Sequence, residues 1–114
     1  MVRVGPVPGD GVDAVFSALA DERRRSLVEL LARADGGATP TELARELPVT
    51  RQAVAKHLAA LEDAGLVAVT RSGREARYAL TPEPLIEAVA WIEQVGSRWD
   101  DRLAALRRHL DTSV

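Results

Sequence analysis

The chain has no cysteine, so disulfides and thiolate metal ligation are both excluded. No apolar run approaches the length a membrane span requires, and no secretory h-region opens the chain, so a cytoplasmic protein without membrane contact is expected. Enzyme signatures are missing as well. There is no glycine-rich phosphate loop and no Ser-His-acid spacing, and Ser26, Ser72 and Ser97 fall in scaffold or turn contexts. Neither catalysis nor a cofactor is therefore expected. Lysine occurs once, at Lys56, the other basic side chains being arginine.

At 114 residues the chain suffices for one domain with a single core. Its net charge of −2 does not suggest a nucleic-acid partner, but the charge is segregated. Between residues 50 and 80, Arg51, Lys56, Arg71, Arg74 and Arg77 outnumber Glu62, Asp63 and Glu75, a local balance of +2 that leaves −4 for the remainder. Local potential governs encounter with phosphates, so binding to a polyanion would be moderate and salt-sensitive.

Residues 39–65, TPTELARELPVTRQAVAKHLAALEDAG, carry the start and stop signals of two short helices. Thr39-Pro40-Thr41-Glu42 is a capping box with proline at the first helical position. Leu43, Ala44 and Leu47 give that helix a buried face, and Pro48 ends it. Thr50 caps a second helix whose Val54, Leu58 and Leu61 point inward, and Gly65 terminates it. The turn between them is too short for anything but a tight corner, which defines a helix-turn-helix. Outward near the start of the second helix stand Arg51, Gln52, Ala53, Ala55, Lys56 and His57, a set of donors and small residues with no acid. Major-groove base edges and flanking phosphates call for such a surface. Residues 66–71 and 76–80 then read as two β-rich runs around Ser72-Gly73-Arg74-Glu75. In this hairpin wing Arg71, Arg74 and Arg77 could meet the phosphate backbone or the adjacent minor groove.

The flanking segments are helical. Asp10 or Asp13 can cap a first helix carrying Val12, Val15, Phe16 and Leu19, and Asp21 starts a second that breaks at Gly36-Gly37. Arg23, Arg24 and Arg25 are expected to pair with local carboxylates such as Asp21 or Glu29, or to lie in solvent. From Thr81 as N-cap, with Pro82 and Pro84 in the first turn, a last helix places Leu85, Val89, Ile92, Gly96, Trp99, Leu103, Leu106 and Leu110 four and three residues apart. This is a heptad seam, longer than the rest of a small domain can cover.

These segments resemble the ArsR/SmtB family of winged-helix transcription regulators from about residue 12 onward. The likeness rests on Leu19-Ala20-Asp21-Glu22-Arg23-Arg24-Arg25-Ser26-Leu27, on Thr50-Arg51-Gln52-Ala53-Val54-Ala55-Lys56-His57-Leu58, and on Leu61-Glu62-Asp63-Ala64-Gly65-Leu66-Val67. It implies a mainly α fold with a small β-hairpin, and DNA contacts from Thr50, Arg51, Gln52, Ala53, Lys56 and His57 together with Arg71, Arg74 and Arg77 of the wing. It also implies a homodimer paired through first and last helices by Val12, Phe16, Leu85, Val89, Ile92, Trp99, Leu103 and Leu106. Residues 1–11 would be a loose arm, 12–81 the DNA-binding domain and 82–114 the dimerisation helix. The expected function is repression from an inverted-repeat operator. The rival readings are a winged-helix module used only for protein association, and a metal-responsive repressor. Cysteines that sense metal in relatives fall here at Thr39 and Thr41, so no metal site is expected. The alternative set is Asp100, Asp101, His109 and Asp111.

Overall fold

The computed structural model describes residues 8–112, in the order α1 (Pro8–Leu19), α2 (Glu22–Arg33), α3 (Pro40–Glu46), α4 (Arg51–Asp63), β1 (Val67–Ser72), β2 (Glu75–Leu80) and α5 (Glu83–Thr112). Residues 1–7 of the expected arm lie outside the described residues. From Pro8 the chain is already helical, so Asp10 and Asp13 sit within α1 rather than before it. Gly9 and Gly11 disguise this start, because glycine disfavours helix by about 1 kcal/mol against alanine. A Cβ at Gly11 would stand 3.6 Å from Glu87 Oε2, which shows how near α1 runs to α5.

Each of the central helices begins at a side-chain cap. The Asp21 carboxylate accepts from the backbone N–H groups of Arg23 and Arg24, at 2.8 and 3.3 Å. The α3 capping box is complete: Thr39 Oγ1 accepts from Glu42 N at 3.2 Å, and Glu42 Oε1 accepts from Thr39 N at 2.9 Å. Thr50 Oγ1 accepts from Ala53 N at 3.1 Å. After α4, Gly65 turns left-handed at φ 78°, with Leu66 N–H on Leu61 O and Gly65 N–H on Glu62 O, both at 2.9 Å. That pair of bonds is a Schellman ending, and it redirects the chain into the wing.

Val54, Leu58 and Leu61 of α4 are fully buried with Leu27, Leu66 and Val15, so α4 is seated in the core by its inner face. The hairpin is antiparallel and in register from Val67 opposite Leu80 to Ser72 opposite Glu75, leaving Gly73 and Arg74 as a two-residue loop. Gly73 takes φ 59° while Arg74 keeps a negative φ, the pattern of a type II′ turn. A further rung joins β2 to the α2–α3 corner: Ala38 N donates to Tyr78 O at 2.9 Å, and Tyr78 N to Ala38 O at 2.8 Å.

Arg23 is exposed, as expected of this run, but Arg24 and Arg25 pair with backbone rather than with carboxylates. Arg24 Nε donates to Ala18 O at 2.6 Å and its Nη2 to Ser17 O at 3.4 Å, while Arg25 Nη1 donates to Leu19 O at 2.7 Å. The end of α1 leaves its last carbonyls without helical donors, and these two guanidinium groups supply them. Thr81 is likewise not the cap of α5. Its N–H is held by Leu66 O at 2.8 Å, and Ile86 N on Pro82 O at 3.0 Å puts the helix start one residue later.

The thirty residues of α5 make a rod about 45 Å long. Its first turns lie against α1 and the core, where Ala88 is buried and Leu85 half-buried, and Trp91 meets Phe16 edge to face at 5.6 Å. Three residues assigned to the pairing surface are thereby used within the protomer, Phe16 through its contact with Trp91 while it stays partly exposed. Val12 is buried, and Leu85 packs on the core cluster, because the beginning of α5 turns its seam inward. Val89, Ile92, Trp99, Leu103, Leu106 and Leu110 remain exposed, Trp99 by 57%. Among the described residues no helix is long and apolar enough to cross a membrane, and no group of three or more histidine or acidic side chains is placed to hold a metal ion.

Candidate nucleic-acid interface

Two helix caps and one hairpin turn set the geometry of this face. The Thr50 cap fixes where α4 begins, so Arg51, Gln52 and Lys56 stand exposed on its outer side and Ala53 is half-buried. Thr50 uses an oxygen lone pair in the cap, which leaves its hydroxyl proton available to donate outward. No acid occupies the first turn of α4, where the unpaired N–H groups favour an anion. The wing tip comes round to the same side. Arg51 at the helix start and Arg74 at the hairpin tip line one groove of about 360 Å³, together with Thr39, Thr41 and Glu75. Thr39 and Thr41 are additions that the sequence reading did not place on this face. The only local signal is Thr41's exposed position in the first turn of α3, the helix that crosses the backbone in helix-turn-helix docking.

Two assigned contacts are placed differently. His57 is half-buried and its Nδ1 is buried without a hydrogen-bond partner, so its ring lies partly toward the protein rather than fully on the outer face. Its charge acts on Asp21, the cap of α2. Arg77 is half-buried and engaged within the chain: Nε meets Glu75 Oε1 at 3.2 Å, and Nη1 meets Gly37 O at 3.1 Å and Glu42 Oε1 at 3.4 Å. Arg71 and Arg74 are exposed.

The two capping carboxylates titrate low. Partial burial pulls Asp21 upward, but the N–H groups of Arg24 and Arg23 and the charges of His57 and Arg24 outweigh it, and the group lies below its ordinary 3.8. The Thr39 N–H holds Glu42 below its ordinary 4.5 against partial burial, with Arg77, the Thr39 hydroxyl and Arg45 adding to the effect. Folded carboxyls of this kind take up protons less readily than unfolded ones, so their stabilisation is complete above those ordinary values and is lost as pH falls below them. Urea midpoints measured across acid pH are expected to be level at the neutral end and to drop below the ordinary carboxylate range. In Glu42→Gln the drop should be shallower, and an identical drop would remove Glu42 from the account.

Comparison with known proteins agrees with this geometry. A helix-turn-helix domain family matches residues 19–70. The uncharacterised HTH-type transcriptional regulator YuzN of Bacillus subtilis is 41% identical over 88 residues, which covers 71% of this chain and 95% of YuzN. A solved ArsR-like transcriptional regulator from Rhodococcus sp. RHA1 is 41% identical, with a TM-score of 0.75, covering 87% of this chain and 92% of that one. The homodimeric winged helix-turn-helix DNA-binding domain of Mb0332 from Mycobacterium bovis, a possible ArsR-family regulator, is 25% identical with a TM-score of 0.62, covering 85% and 91%. With the capped helix pair, the wing and these relatives in hand, the chain belongs to the ArsR family of winged helix-turn-helix, DNA-binding transcriptional regulators.

Proposed function

We propose that this regulator is a cytoplasmic homodimeric repressor that occupies an inverted-repeat operator and blocks polymerase. One observation carries the DNA contact: the acid-free start of α4 and the arginine at the wing tip share a groove, so major-groove edges and a flanking phosphate can be met at once. Arg51 and Lys56 act as donors toward guanine or phosphate, Gln52 as the adenine reader, and Ala53 as the small residue that permits close approach. Thr50, Arg71 and Arg74 hold the backbone on either side.

Two-fold symmetry is supported by the exposed apolar stripe of α5 and by the homodimeric relative. A pair of protomers joined there would present two copies of α4 to major-groove segments about 34–36 Å apart, one helical turn of DNA. In vitro selection of bound duplex with the purified protein tests this directly, and a palindrome is the expected product. Arg51→Ala and Lys56→Ala are each expected to weaken binding to it by about 1–3 kcal/mol. A double variant that shifts the selected duplex as well as its parent would refute the assignment.

A further inference from the structure

We propose that Arg77 and Glu42 form a strut that sets the tilt of the wing, so that Arg77 serves DNA binding as a positioning residue and not as a phosphate contact. The inference rests on the DNA-binding reading above. Three elements meet at this one guanidinium: β2, which carries Arg77; the α2–α3 corner, through Gly37 O; and the first turn of α3, through Glu42 Oε1. The same Glu42 oxygen accepts the Thr39 N–H at 2.9 Å, so the capping box of α3 and the wing share an atom. Glu75, at 3.2 Å from Nε, is a second carboxylate beside the arginine. Flanked by two acids, Arg77 brings little net positive charge to a phosphate, whereas Arg71 and Arg74 stand exposed on the hairpin.

The neighbouring backbone gives the strut its purpose. The wing is joined to the corner by a single two-bond rung, Ala38 with Tyr78. Such a rung fixes where the strand lies but permits rotation about its own line. Buried Val67 and Tyr78 already anchor the base of the hairpin in the core, and Arg77, adjacent to Tyr78 and nearer the tip, adds the polar contact that resists the remaining tilt. Arg74 stands in the turn three residues toward the hairpin tip, about 10 Å at the strand rise, so small rotations at the strut become ångström-scale displacements at the tip. A guanidinium–phosphate pair does not tolerate such a displacement.

Glu42→Gln separates this from the alternatives by sign. Glutamine can keep the capping box, and removing a carboxylate would by charge alone tighten binding to a polyanion. The strut predicts the opposite, a weakening of about two- to fivefold on the duplex selected by the parent, as loss of an exposed ion pair allows. Arg77→Gln should weaken binding to a similar extent, with the pair non-additive. Its plot of log affinity against log salt should keep the parent slope, while Arg74→Ala should lower that slope by about 0.9. Binding by Glu42→Gln that is unchanged or tighter, or an Arg77→Gln slope that falls like that of Arg74→Ala, would overturn the strut alone. A parent that binds no duplex at low salt would remove the functional reading, and the strut's role with it. Both side chains are partly exposed, at 36% and 47%, and thermal melts that leave each variant fully folded at the assay temperature would separate an affinity loss from a folding defect.

Discussion

Replacing Ile92 and Leu103 together with glutamate is expected to turn the protein into a folded monomer and to lower its affinity for a palindromic duplex by about a hundredfold or more. Both side chains are exposed in the protomer, at 51% and 46%, so the change removes nothing from the core. In a dimer they would be buried along the α5 seam, where an unpaired carboxylate is costly. Loss of pairing removes the second recognition helix, and a single half-site contact must then hold the duplex alone. Sedimentation equilibrium and a gel shift are the two measurements, with far-UV circular dichroism as the control for helix content. A double variant that remains dimeric would show that the partner covers some other surface.

The second large effect concerns stability. Gly37→Ala is expected to destabilise the fold by about 2–4 kcal/mol, read as a fall in the urea midpoint or in the melting temperature. Gly37 has φ 84°, and a Cβ there would stand 2.4 Å from the Tyr78 carbonyl oxygen and 3.1 Å from its carbonyl carbon. Backbone cannot swing aside as the end of a flexible side chain can, so the Ala38–Tyr78 rung must open or the corner must shift. Gly36 makes the internal control. It is also left-handed, at φ 79°, but nothing lies within 4 Å of its missing Cβ, so Gly36→Ala should show only the smaller strain of an unfavourable φ. Equal losses at the two positions would mean that the close approach to Tyr78 is immaterial.

What could be read from the chain before its structure was whatever is written locally. The α3 capping box, the Thr50 cap and the Gly65 ending are each set by residues a few positions apart, and each forms as the spacing predicts. The core stripe of α4 and the seam of α5 follow from a helical period, and the hairpin from its Gly73 turn. What escaped was non-local. Nothing near Arg24 or Arg25 indicates that they will reach back to the last carbonyls of α1, and nothing near Arg77 points to Gly37, forty residues earlier. The wing arginines look alike as a trio, yet Arg77, on the face of β2 opposite buried Tyr78, is tied back to Gly37 and Glu42 while Arg71 and Arg74 stay exposed. The pairing surface was legible as a period but not in extent, because where α5 leaves the core depends on how α1 and the core cluster receive its first turns.

The Ala38–Tyr78 rung also bears on how the chain acquires its shape in time. A two-residue turn lets the hairpin zip by itself within about 1–10 μs. Anchoring it is another matter, since the rung joins residues on opposite sides of α3 and α4 and has to await the larger loop they form. The wing is thus set to be an early fragment that docks late. Lesions at Gly37 should slow refolding only as far as that docking belongs to the rate-limiting barrier, and otherwise should hasten unfolding.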